Sequence, residues 1–125
     1  MTDDQAPGIV ITKRPVDAPT LKKLTAHWFG DMVKLVVDIE RRVVAIGGEL
    51  HADAEALLLE DGSRQADLWG ANYFPGAGRE DCLELTARIN IRPGQGNRGM
   101  VVQDAAVAAK LRAIVSELVG RGEPI

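Results

Sequence analysis

The sequence predicts a single α+β domain. Its core is a mostly antiparallel sheet of about five strands, with helices packed on one face, in the order β-α-β-β-α-β-β-α. Three observations carry this. Apolar residues alternate with other side chains over residues 32–39 and 81–92, the period of a strand. They recur at helical spacing near residues 21–29 and 107–118. Strand-like runs also come in consecutive pairs between the helices, which suits hairpins better than a doubly wound parallel sheet.

The elements follow in order. Residues 1–8, MTDDQAPG, read as a flexible polar tail, and residues 9–125 form the domain. Ile9–Thr12 is a short β-branched run before Pro15, hence an edge strand. A helix runs from Asp17 to Gly30, with Pro19 or Thr20 at its start and Leu21, Leu24, Trp28 and Phe29 at helical spacing. Met32–Ile39 is a strand with one well-buried face, carrying Val33, Leu35, Val37 and Ile39. The charged step Glu40-Arg41-Arg42, read as a solvated turn, leads into Val43–Ile46, so the pair predicts a hairpin.

Gly47-Gly48 breaks that strand, and Asp53 can cap a short helix over Ala54–Glu60. Leu57-Leu58-Leu59 and Val43-Val44 are core-forming by composition. Ala66–Phe74 is a strand, Pro75–Gly78 a turn, and Asp81–Arg92 a long strand. In that last strand Leu83, Leu85, Ala87, Ile89 and Ile91 face one way, and Thr86, Arg88, Asn90 and Arg92 the other. The last helix covers Asp104 to Val119 and is closed by Gly120. Its alanines (105, 106, 108, 109) form a small-residue face that suits a sheet or a partner subunit in a homo-oligomer.

Composition limits the function classes. The chain of 125 residues has a net charge of −3, so generic nucleic-acid binding, which needs a concentrated basic surface, is not expected. No apolar run approaches the roughly 20 residues that span a bilayer, and the acidic N-terminus lacks the pattern of a signal peptide. Cys82 is the lone cysteine, which forms no internal disulfide and fits a cytoplasmic protein.

Three stretches carry candidate chemistry. In Ala87–Gly99, ARINIRPGQGNRG, the ligand-binding candidates are Arg88, Arg92, Gln95, Asn97 and Arg98. Arginine forks beside glycine-rich backbone suit a phosphate, nucleotide or carboxylate. A polar strand face followed by an ordinary turn gives the same pattern, and the stretch lacks a phosphate-loop signature. In Glu49-Leu50-His51-Ala52-Asp53, an extended backbone would align Glu49, His51 and Asp53 for acid–base or metal chemistry. Capping is the more economical role for Asp53, and no third strong metal ligand is apparent, so no metal site is assigned. Ser63-Arg64-Gln65 followed by Trp69-Gly70-Ala71-Asn72 can wall a pocket, but Ser63 has neither a neighbouring base nor a nucleophile elbow.

Residues 47–70, GGELHADAEALLLEDGSRQADLWG, and 89–98, INIRPGQGNR, resemble a family of short uncharacterised bacterial and archaeal proteins, a domain of unknown function. The resemblance runs from the first strand to the final helix and implies no reaction, substrate or cofactor. Three readings follow from the residues. One is a small binding module for an anionic ligand. The second is a metal-assisted or acid–base hydrolase using Glu49 and His51. The third is an interaction domain without a small-molecule site. The sequence names no cofactor, and the readings separate on whether residues 47–53 and the Arg92–Gly99 loop share a pocket.

Overall fold

The computed structural model describes residues 8–125. The expected tail, apart from Gly8, lies outside them. The strands are β1 (Val10–Thr12), β2 (Val33–Asp38), β3 (Val43–Ile46), β4 (Leu68–Tyr73) and β5 (Leu83–Glu84), and the helices are α1 (Ala18–Trp28), α2 (His51–Glu60) and α3 (Ala105–Leu118). Every neighbouring pair in the sheet is antiparallel, in the order β1-β3-β2-β4-β5. The predicted α+β class and element order hold.

The helices occupy both faces of the sheet rather than one. Leu21 and Leu24 of α1 and Leu111, Ile114, Val115 and Leu118 of α3 pack on Leu35, Val37, Val44 and Ile46. Ala54 and Leu58 of α2 pack on Val36, Val43 and Ala45 from the other side. The topology supplies the reason. β1-α1-β2 is a parallel pair split by β3, and β3-α2-β4 is a parallel pair split by β2. The two units step across the sheet in the same sense, but their strands run in opposite directions. Right-handed crossovers then require helices on opposite faces. β2, expected to bury one face, therefore buries both, and Val43–Ile46 is buried throughout. Each such Val, Leu or Ile contributes roughly 1.5–3 kcal/mol.

Local chemistry sets the boundaries. The Asp17 carboxylate accepts from Thr20 N–H at 2.8 Å and caps α1. Asp104 caps α3 by accepting from Ala106 and Val107 N–H at 2.8 and 3.2 Å. Buried Asp38 accepts from the Glu40 and Arg41 N–H groups at 2.9 and 2.8 Å, so a carboxylate organises the β2–β3 turn that lacks an Asn-Gly signature. That turn is more than a solvated step. Arg41 donates to Ser63 Oγ at 2.6 Å and pairs with Asp61 at 2.8 Å, and Arg42 pairs with Glu117 at 2.5 Å.

Three expectations change. α2 begins at His51, and Asp53 caps it from the third helical position, accepting from Leu50 N–H at 3.0 Å. Of Leu57-Leu58-Leu59 only Leu58 is buried, because adjacent residues on a helix point 100° apart. The long strand 81–92 stops after Glu84 as a paired strand. The backbone continues toward a bridge between Thr86 and Val101 and turns into a 3₁₀ helix at Arg88–Asn90. Leu85 and Ala87 are buried, as the alternation expects, but the pattern fails at the 3₁₀ turn, where Ile91 is exposed and Asn90 is buried. The pairing partner, however, changes from β4 to residues 100–102.

Candidate functional site

Asn90 takes over where the strand ladder ends. Its side-chain oxygen accepts from Gly70 N–H at 2.8 Å, and its amide nitrogen donates to the carbonyls of Gly70 and Met100 at 3.0 and 3.1 Å. One side chain thus does the hydrogen bonding of a neighbouring strand. Gly70 permits this approach: a Cβ there would lie 2.5 Å from that of Ala87. No spacing rule singles out Asn90 before the fold is known; the sole trace is a polar residue between two isoleucines.

Most of the expected ligand-binding residues in ARINIRPGQGNRG spend their donors internally. Arg92 donates to Ile89 O at 2.9 Å and to Leu68 O, stacks 4.7 Å from the Trp69 ring centre, and stands 3.7 Å from Glu55 on α2. Buried Asn97 donates toward the carbonyls of Asn90, Gly99 and Val101, and its oxygen accepts from Gln103 N–H at 2.8 Å. Gln95 donates to Ala66 O at 3.1 Å. Arg88 and Arg98 are exposed.

The three residues 49, 51 and 53 do not converge, because the backbone is helical from His51. Glu49 is exposed and its carbonyl accepts from Lys34 Nζ at 2.8 Å. Asp53 is exposed at its capping position. Among the described residues no group of His, Cys, Asp and Glu is arranged to hold a metal ion. His51 instead turns inward and is only 9% exposed, with Nε2 2.9 Å from Ala71 O. A carbonyl can only accept, so Nε2 carries the proton and Nδ1 keeps the lone pair in the neutral ring. Burial holds the His51 pKa below its ordinary value. The Ala71 carbonyl and the Asn72 side chain act in the opposite sense, and nearby Lys34 adds to the lowering.

His51 lines a cleft of about 580 Å³ between the start of α2 and the segment 86–100. Lys34, Asn72 and Arg88 join it there, while Met32, Leu50, Ala87, Ile89 and Met100 make the walls apolar. Segment 47–53 therefore meets the beginning of ARINIRPGQGNRG and not its loop. Gln95 and Asn97 border a separate hollow of about 460 Å³ beside Trp69, Gln103 and Asp104. Trp69 itself is 3% exposed and belongs to the core, and Ser63 is buried against Arg41. No sequence pattern marks Lys34, whose place in the cleft with Arg88 depends on how β2 and segment 86–100 are brought together.

Among the described residues, no helix is long and apolar enough to cross a membrane. No solved structure matches the chain. A family model described as a protein of unknown function, DUF5674, matches residues 10–118, and with nearly the whole domain covered the chain belongs to that family.

Proposed function

We propose that the protein is a binding module for a small organic monoanion, a carboxylate with an apolar body, seated in the cleft between His51 and Arg88. The observation that carries this reading is the pairing of two cations, Lys34 and Arg88, with an otherwise largely apolar lining in one cleft. Arg88 is exposed, and among the described residues it has no ion-pair partner. Its fork of donors suits a carboxylate. His51 is neutral near pH 7 because burial lowers its pKa, so it adds a hydrogen-bonding lone pair and not a third charge.

In this reading Arg92, Gln95 and Asn97 bind no ligand directly; they hold the wall that carries Arg88. Both stretches behind the family resemblance border the cleft, Leu50 and His51 from one and Ile89 from the other. An acid–base hydrolase would have to work with His51 alone, since Glu49 and Asp53 are exposed and Asp53 is engaged as a cap. A cytoplasmic setting accords with the lone Cys82.

The test is thermal unfolding with benzoate as probe. Benzoate should raise the melting temperature, since a ligand at about 100 times its Kd adds roughly 2.7 kcal/mol. Arg88→Ala should abolish the shift while its own melting temperature stays near that of the parent. No saturable shift, or a shift that survives Arg88→Ala, sinks the proposal.

A further inference from the structure

We propose that a second cleft, on the α3 side of the sheet, binds a phosphate monoester through Arg79, Arg112 and Arg121. The cleft is about 490 Å³ and also holds Ser116, Leu83 and Cys82. The three arginines come from three places: the loop after β4, the middle of α3, and the segment after α3. Arg112 and Ser116 are four residues apart and so share one face of α3. Ser116 Oγ accepts from Arg121 Nε at 2.7 Å and fixes that guanidinium.

The fold clamps the other two segments together. Tyr73 Oη accepts from Gly122 N–H at 2.8 Å, Gly78 N–H donates to Gly122 O at 3.1 Å, and Gly76 N–H donates to Glu123 O at 3.0 Å. Gly122 has φ +78°, and a Cβ there would lie 2.4 Å from Gly78 O, so glycine is required for the approach. That approach sets Arg79 and Arg121 on one cleft.

Charge and chemistry then select the ligand. Among the described residues none of the three arginines has an ion-pair partner within 4.0 Å. The acidic groups nearby are Glu123 and Asp81. Glu123 accepts from the Arg121 backbone N–H at 2.7 Å. That hydrogen bond lowers its pKa most, and it lies near enough to Arg121 and Arg79 for their charges to help, so it offsets one of the three positive charges. Asp81 is exposed. Burial keeps the Cys82 thiol protonated by raising its pKa, so it adds no negative charge to the floor. A phosphate monoester carries about −1.5 to −2 charges and three acceptor oxygens, enough to engage several guanidinium forks. A carboxylate offers one charge and two oxygens. Leu83 and the Cys82 side chain provide an apolar floor for the ester group.

The experiment is a titration of the full ¹⁵N-labelled chain with phenyl phosphate, and in parallel with benzoate. Phenyl phosphate should move the amide signals of Cys82, Leu83 and Arg121 saturably. Arg112→Glu should abolish those shifts, and Arg88→Ala, in the other cleft, should leave them. Arg79→Ala, at an exposed loop position, carries the same expectation as Arg112→Glu and replaces it if the charge reversal loses amide dispersion. Absence of saturable shifts, their survival in the arginine variants, or equal response to benzoate overturns the assignment.

Discussion

At position 51 a histidine takes the first place of a helix and turns its ring onto a strand. The Ala71 carbonyl selects the tautomer, and burial disfavours the charged form. The consequence for stability has a definite sign. With the folded-state pKa below the unfolded value of about 6.5, the unfolded chain takes up a proton first as pH falls, and stability is lost in that window. Urea unfolding at about pH 7.5 and about pH 5.5 should therefore show a larger loss for the parent than for His51→Gln, which keeps a donor for Ala71 but does not titrate. Equal losses would mean that the ring is not the titrating group. His51 was visible in the sequence as a candidate, but its role was not. The extended geometry that would have grouped it with Glu49 and Asp53 gave way to a helix that starts two residues before Asp53.

At the scale of elements, one arginine ties the 92–99 loop to both β4 and α2, in addition to the apolar packing of α2 on the sheet. Arg92 reaches from the loop to the start of β4, to the Trp69 ring and to Glu55 of α2. Both ionised side chains are largely buried, at 10% and 13% exposure. Removing one partner leaves the other charge without compensation. Arg92→Ala should cost about 3 kcal/mol in chemical denaturation. Arg92→Lys should recover only part of it, because an ammonium cannot make the same planar set of contacts. A loss below about 0.5 kcal/mol, the range of ordinary surface substitutions, would show that the contact network is idle. Sequence reasoning marked Arg92 as a donor in search of an acceptor. The acceptors it meets are Leu68 O, 24 residues away, and Ile89 O, neither of which spacing identifies.

For the whole molecule, the two cores share β2 and β3. Val36 and Val43 face α2, while Leu35, Val37 and Val44 face α1 and α3. A defect on one face should therefore lower the stability of both. Leu58→Ala is expected to cost about 2–5 kcal/mol. Unfolding should stay a single transition, with tryptophan fluorescence and far-UV circular dichroism sharing one midpoint. Separate midpoints would mean that the α2 layer melts independently of the α1 and α3 layer.

The sequence by itself determined the α+β class, the order of elements, the β2–β3 hairpin and the starts of α1 and α3 near Asp17 and Asp104. These follow from periodicity and from contacts within a few residues. Tertiary structure alone decided the faces of the helices, the early end of strand pairing after Glu84, and the partners of Asn90, Arg92 and Asn97. It also separated Gln95 and Asn97 from His51 and gathered Arg79, Arg112 and Arg121 on one cleft. The physical reason is common to all of these. A side chain's donors meet whichever carbonyls or charges the crossovers bring near, and periodicity reports which way a residue faces but not what faces it.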